Sequence, residues 1–357
     1  MRVAVLWEHL AGYIQAALRG LTALEGTEVL VVQRSREPHA EYARALGRLC
    51  EVMDLSEPHA GGEVDVVARI RSFAPDVTLI TTNKDPRYRA VARDNHRHGR
   101  VTVWGSEIPP RAWWRDSYGM IRSRLGSLRH YDAAFVAGVT AHEYARRVGF
   151  PDDRIFQGLL TCDAELFRPI GIARHRPEAA GAWPRAFLFV GQFIPRKGLD
   201  VLLEAYRRYR LQSSAPWELW CAGAGPLRPL LDGEAGVRVL DFVAPQECAQ
   251  LMAQAGAFVL PSRMDHWGVV IHEATCAGLP VIASRTSYAS VDLVQDGCNG
   301  YTFPTGDVAR LERLLAVCAD QETARVMGER SLGLSYRFDP TVFAHLLAEH
   351  IPRILGR

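Results

Sequence analysis

One stretch constrains the fold of this chain more than any other: residues 257–284, AFVLPSRMDHWGVVIHEATCAGLPVIAS. Two apolar runs of buried-strand length, Ala257–Leu260 and residues 279–283, open and close it. Between them lie a loop, 261–266, and a segment that reads as a short helix. Gly278 stands where a helix end favours a left-handed residue, and Pro280 just beyond prevents continuation. Strand, loop, helix and strand in this order form one unit of a parallel sheet. Two carboxylates bracket the loop-to-helix junction, Asp265 just before the helix and Glu273 inside it. A helix start presents unpaired N–H groups and partial positive charge, so a phosphate is at home near Gly268 and Val269. Asp265 then lies on one side of that phosphate and Glu273 on the other, roughly 8 Å further along at about 1.5 Å per residue. The layout suits a long ligand with a pyrophosphate in its middle and hydroxyls at both ends.

A second motif narrows the ligand. Ala186–Val190 reads as a strand, followed by Gly191-Gln-Phe-Ile-Pro-Arg196-Lys197-Gly198 and an amphipathic helix over 199–210. Arg196 and Lys197 thus sit at a helix start beside glycines, where cations clamp phosphates. The chain has only two lysines, Lys84 and Lys197, among its 42 Lys and Arg residues. Against that bias Lys197 reads as a compact point charge chosen for its place. The competing reading is a solvated surface cation.

Together these residues resemble the retaining glycosyltransferases of family GT4. The matching run is Gly191…Arg196-Lys197-Gly198, then Asp265-x7-Glu273…Ala277-Gly278-Leu279-Pro280-Val281, then Asp296-Gly297…Gly300 and Pro304…Gly306-Asp307. Thr161-Cys-Asp163-Ala-Glu-Leu-Phe167-Arg-Pro169 resembles the family's crossing between domains. The resemblance implies an α/β fold of GT-B type, two Rossmann-like doubly wound parallel-sheet domains facing across a cleft. It implies an acceptor-binding domain over 1–168, joined by a returning C-terminal helix at about 339–357. A donor-binding domain follows over 169–338, and the Gly-, Pro- and Ala-rich run 169–184 reads as the linker between them. A core helix of the second domain is the alternative for 339–355.

Bulk properties agree with a globular two-domain enzyme. At 357 residues each domain is large enough for its own core, and a formal net charge of +2 implies no general nucleic-acid field. Seven scattered cysteines without a C-x-x-C pair read as reduced thiols of a cytoplasmic protein. The opening MRVAVLW reads as a strand rather than a signal peptide, and no apolar run approaches ~18 residues.

The first half alternates strands and helices. Residues 2–7, Glu28–Gln33, 76–82, 101–104 and Ala133–Val136 read as strands, with a helix over 14–24 and helical or loop material over 40–46 and 63–73. Gly12 marks the first strand-to-helix turn, and His9 reads equally as a substrate contact or a structural histidine. Family members often carry a histidine just after the 101–104 strand; here either Glu107 or Ser106 supplies the contact, or that role is absent, and Glu107 is taken as the candidate. From Arg87 to Arg129 basic residues outnumber acidic ones, with Trp113, Trp114 and Tyr118 interleaved. Three readings compete: an acceptor groove, a peripheral membrane-surface patch, or the solvated face of two helices.

What the resemblance implies about chemistry is transfer of a hexosyl-type group from a UDP- or GDP-linked sugar to a hydroxyl of a glycan, a lipid-linked sugar or a small molecule, with retention of configuration. Arg196, Lys197 and the amides at Gly268 and Val269 stabilise the leaving diphosphate, with no metal and no cofactor. Glu273 holds the ribose hydroxyls, and Asp265 orients the sugar. Gly12, Gly191, Phe242, Val243, Trp267 and Val270 complete the donor site. Catalytic roles fall to Asp265, Arg196, Lys197 and Glu107. His266 and His272 lack a metal motif's spacing. Two rivals stand beside this reading: a sugar-nucleotide 2-epimerase of the same fold, and a non-catalytic partner subunit.

Overall fold

The computed structural model describes residues 1–8, 10–34, 46–56, 65–110, 126–176 and 183–356. His9, most of the 40–46 segment, Trp113, Trp114 and Tyr118 lie outside them. The chain divides into two compact units, Met1–Asp163 with Phe338–Arg357, and Ala164–Arg337.

In the first unit the described elements are β1 (Arg2–Leu6), α1 (Gly12–Thr22), β2 (Glu28–Gln33), β3 (Glu51–Asp54), α2 (Val66–Phe73), β4 (Val77–Ile80), α3 (Pro86–Arg97), β5 (Val101–Ser106), β6 (Ala133–Val136), α4 (Val139–Arg147) and β7 (Ile155–Gln157). The seven strands form one parallel sheet in the order β3-β2-β1-β4-β5-β6-β7. Val3 to Leu6, Val77 to Ile80 and Ala133 to Val136 are fully buried. A strand covered on both faces by helices is expected to be apolar, as these are except for Thr78, whose hydroxyl accepts from Asn95 at 3.0 Å. The sequence reading missed β3 and β7, and both are short edge strands. The returning segment opens with a helix at Pro340–His345 and packs on α1. Gly20 makes that approach feasible: a Cβ there would stand 2.9 Å from the Pro340 carbonyl oxygen. Phe343, fully buried, meets Phe135 of β6 with ring centroids 5.3 Å apart.

The second unit opens with α5 (Ala164–Arg174), then β8 (Ala186–Val190), α6 (Leu199–Gln212), β9 (Glu218–Ala222), β10 (Val237–Leu240), α7 (Pro245–Gln254), β11 (Ala257–Leu260), α8 (Val269–Cys276), β12 (Val281–Ser284), α9 (Ala289–Leu293), β13 (Gly300–Phe303), α10 (Val308–Cys318) and α11 (Gln321–Leu334). Its parallel sheet runs β10-β9-β8-β11-β12-β13. In each sheet the strand order reverses once, between β1 and β4 in the first and between β8 and β11 in the second. Such a reversal opens a crevice at the carboxyl ends of the two central strands, where open α/β sheets bind ligands.

One expectation is corrected. Residues 169–184 do not begin as a linker: α5 runs through Pro169 to Arg174 and belongs to the second unit. Ala164, Phe167 and Gly171 are buried at helical spacing, and Gly171 lies so close to α8 that a Cβ would fall 2.3 Å from the Cys276 carbonyl oxygen. Pro169 costs the helix one backbone bond, and the burial of Phe167 and the packing of Gly171 offset it. Among the described residues no helix is long and apolar enough to cross a membrane.

Truncation of a linker residue costs little, whereas truncation of a buried aromatic costs about 3–5 kcal/mol. Phe167 is 1% exposed. Phe167→Ala is therefore expected to lower stability by roughly that amount in urea denaturation, and a change under about 1 kcal/mol would contradict the placement of α5.

Candidate functional site

The loops after β8 and β11 meet at the reversal point of the second sheet. Glycine is required where they touch. Gly198 has φ +69°, and a Cβ on it would stand 2.2 Å from the Pro261 carbonyl oxygen. With no side chain there, the Pro195–Lys197 turn lies directly against the β11 loop, and Arg263 N–H donates to the Arg196 carbonyl at 2.7 Å. Arg263 then braces the joint from outside. Its guanidinium donates to the Pro195 carbonyl at 2.8 Å and forks onto Asp200, in the first turn of α6, at 2.7 and 2.6 Å. That fork holds the Asp200 carboxyl below the usual carboxylate range.

Inside the joint, the Lys197 ammonium donates to Asp265 Oδ2, and both side chains are largely buried. Arg196 Nη1 donates to the Met264 carbonyl at 3.0 Å and lies 3.5 Å from Asp265 Oδ1. Asp265 is fixed through its backbone: its N–H donates to Thr286 at 2.8 Å, and its carbonyl accepts from Tyr288 N–H at 3.2 Å. A hydroxyl network stands behind that segment, with Thr286 Oγ1 donating to the Ser262 carbonyl at 2.9 Å and sharing a 2.6 Å bond with Thr305 Oγ1.

The head of α8 completes the arrangement. Gly268 caps it with φ +90° and ψ 63°, and as a glycine it offers no side-chain acceptor to the first amides. A Cβ on Gly268 would lie 3.7 Å from Asp265 Oδ2, so the helix head and the Lys197–Asp265 pair are neighbours. The first amides of a helix have no intrahelical acceptor, and here those include Val269 and Val270, which are half-buried. Gly191 lies on the other side, where a Cβ would be 3.7 Å from Lys197 Cε. Trp267 is buried, and its carbonyl accepts from Ala289 N–H at 2.8 Å.

Glu273 is half-buried one turn into α8. Its charge reaches Cys248, whose thiol is pushed up by burial first and by Glu273 second. Phe242 and Val243 follow β10, and Phe242 is 79% exposed. Strand spacing of about 4.8 Å sets the end of β10 roughly 10 Å from the end of β8. Asp241, beside Phe242, is held by Arg228. His272 is a core residue, its Nε2 bonded to the Ser335 carbonyl at 2.8 Å.

The two candidates of the first unit are brought to one place within it. Gly12 is the first residue of α1, and Tyr13 beside it feels Glu107. Loss of water around its hydroxyl, then that carboxylate, push the Tyr13 phenol well above its ordinary range. Separately, a cavity of about 360 Å³ opens at the β1/β4 reversal, lined by Glu8, Arg34, Thr82, Lys84, Asp85 and Arg87 among others. Both lysines of the chain thus stand at the reversal point of a sheet. Sequence reasoning missed Arg263, Asp200 and the 284–288 segment. Nothing local marks them, because their partners are supplied by folding.

The architecture defines the fold class. The chain superposes on HepE of Anabaena in complex with UDP with a TM-score of 0.74 at 18% identity, over 99% of this chain and 100% of that one. On sucrose-phosphate synthase of Thermosynechococcus elongatus the TM-score is 0.71 at 17% identity, over 100% and 99%. These likenesses show the α/β fold of GT-B glycosyltransferases. Residues 184–320 match the family Glycosyl transferases group 1, and the chain carries a domain of that group.

Relatives by sequence agree. The O-antigen chain mannosyltransferase B of Escherichia coli is 28% identical over 163 residues, 43% of this chain and 42% of its own length. The GDP-mannose:cellobiosyl-diphosphopolyprenol alpha-mannosyltransferase of Komagataeibacter xylinus is 26% identical over 231 residues, 57% of this chain and 58% of its own. The chain spans about half the length of the curated relatives it matches.

The Asp200–Arg263 fork makes a test of the joint. The folded pKa of Asp200 lies below its unfolded value, so its stabilising contribution is present above about pH 4 and is lost as pH falls through the folded pKa. Asp200→Asn is expected to lower stability by a constant amount between about pH 6 and 8, with the gap to wild type closing below about pH 4. Urea denaturation across pH measures this. A gap undiminished at about pH 2 would show that the carboxylate charge is not what holds the joint.

Proposed function

We propose that this protein is a retaining glycosyltransferase that moves a sugar from a UDP- or GDP-linked donor to a hydroxyl acceptor without a metal. The observation that carries the reading is the meeting of Arg196, Lys197, Asp265 and the glycine-capped head of α8 at one reversal point. Two cations and a helix start converge where a diphosphate would sit. Charge that develops on the leaving diphosphate is then met by groups already in place, which is the most effective form of electrostatic catalysis. In this reading the diphosphate takes Lys197 from Asp265, and the released carboxylate faces the sugar hydroxyls. Glu273 accepts from the ribose hydroxyls, and Phe242 stacks on the base, with Val243, Trp267, Val270 and Gly191 shaping the slot. Two neighbours support the donor class: HepE is described in complex with UDP and with UDP-glucose.

The first unit takes the acceptor in this reading, at the cavity beyond β1 and β4 that holds Arg34 and Lys84. Gly12, at the head of α1, is assigned to the donor, and Glu107, which follows β5, to catalysis at the sugar. Acceptors of the relatives' kind, glycans and lipid-linked sugars, are the class to try first.

Donor hydrolysis and transfer against a panel of UDP- and GDP-sugars test the reading. Lys197→Ala is expected to lower kcat/KM by about 10²–10³-fold. Glu273→Ala, which loses a hydrogen bond to a charged acceptor, should raise the donor KM about 10–100-fold. Chelation of divalent ions should leave the wild-type rate unchanged. Nucleotide binding with no turnover of any donor would replace catalysis by a binding role, and appearance of an isomeric nucleotide sugar without acceptor would identify an epimerase.

A further inference from the structure

The basic run that the sequence singles out between Arg87 and Arg129 folds into something more specific than a charged face. We propose that the recess between α3 and the turn Ser127–His130 is a binding site for a phosphate group, distinct from the donor site. It is a cavity of about 300 Å³ lined by Arg89, Arg93, Arg129, His130 and Tyr131, with Ala92 and Gly126 completing it. Among the described residues no carboxylate lines it. The acidic side chain of α3, Asp94, is engaged elsewhere: Arg71 of α2 donates to it at 2.6 Å, and His98 lies 3.5 Å away.

Three further observations point to an anion. First, the groups whose charge bears on His130 are all basic residues: Arg129, His96, Arg93 and Arg97. Together with burial, which acts most strongly, they hold its imidazole below the ordinary range. Second, His130 Nε2 accepts from Arg129 Nε at 3.4 Å, which places the ring hydrogen of the neutral tautomer on Nδ1. That Nδ1 is buried and has no hydrogen-bond partner among the described residues. An unmatched buried donor is costly, and a negative charge held close by would offset part of that cost. Third, one wall is prebuilt. Arg89 Nη1 donates to the carbonyls of Asn83 at 2.6 Å and Lys84 at 3.0 Å, and Tyr131 Oη donates to Asn83 Oδ1.

Like charges gathered within a Debye length, partly shielded from water, repel one another. A phosphate brings up to two negative charges and several acceptor oxygens at once, and guanidinium forks match its geometry. The phosphate belongs either to a soluble phosphorylated compound or to a lipid headgroup at a membrane surface. The site lies within the first unit, so the proposal does not rest on the donor chemistry above.

The test uses the full chain carrying Lys197→Ala, which weakens phosphate binding at the donor site. Calorimetry with inorganic pyrophosphate is compared between this protein and the same protein with Arg93→Gln and Arg129→Gln added. Sedimentation with phosphatidylglycerol vesicles, against phosphatidylcholine vesicles, runs in parallel. The expected result is binding of at least one probe that weakens tenfold or more on adding the two substitutions. Pyrophosphate binding alone assigns a soluble ligand; binding to phosphatidylglycerol alone assigns a headgroup. Binding to neither, or binding indifferent to the substitutions, overturns the proposal. Removing like charge should leave the melting temperature unchanged or higher. Should the added pair lower it, His130→Ala takes its place in the same comparison under the same criteria.

Discussion

The ion pair between Lys197 and Asp265 organises the candidate site, and it exists because two backbones touch. Gly198 admits the Pro261 carbonyl to a distance no side chain would tolerate, so the turn after β8 is pressed onto the loop after β11. Sixty-eight residues of chain separate the two partners. The reversal of strand order between β8 and β11 brings them together at the carboxyl edge of the sheet. A charge pair this secluded is weak as a source of stability, because desolvation offsets most of its attraction. Its value is positional: it keeps a cation and a carboxylate in place beside a helix head.

The support around this pair is built to resist movement. Arg263 ties the turn to the first turn of α6 through a two-pronged bond to Asp200. Thr286 and Tyr288 hold the Asp265 backbone from both sides. A ligand that enters therefore meets groups that need little reorganisation, which is the condition under which electrostatic stabilisation is most effective.

Much of the fold was legible in the sequence, for a physical reason. A strand buried on both faces is expected to be apolar, so runs such as Ala257–Leu260 and Ala133–Val136 announce themselves. The edge strands Glu51–Asp54 and Ile155–Gln157 carry no such run and were not read. The second half of α5, 169–174, reads as linker in the sequence because the run is rich in Gly, Pro and Ala; the close approach to Cys276 explains why Gly171 belongs there. α3 carries a start signal, Asp85 capping Pro86–Arg97, yet its many charges obscured it. For the candidate site, the residue types at Arg196, Lys197, Gly268 and Glu273 were legible as local motifs. The bond of Asp265 to Lys197 and the brace from Arg263 were not, since each joins segments remote in sequence.

The most direct measurement is a crystal structure grown with UDP or GDP. The account predicts a phosphate oxygen within about 3 Å of Lys197 Nζ and of an amide at Gly268 or Val269, with Lys197 drawn off Asp265. Nucleotide phosphates bound elsewhere, with the Lys197–Asp265 pair undisturbed, would contradict it.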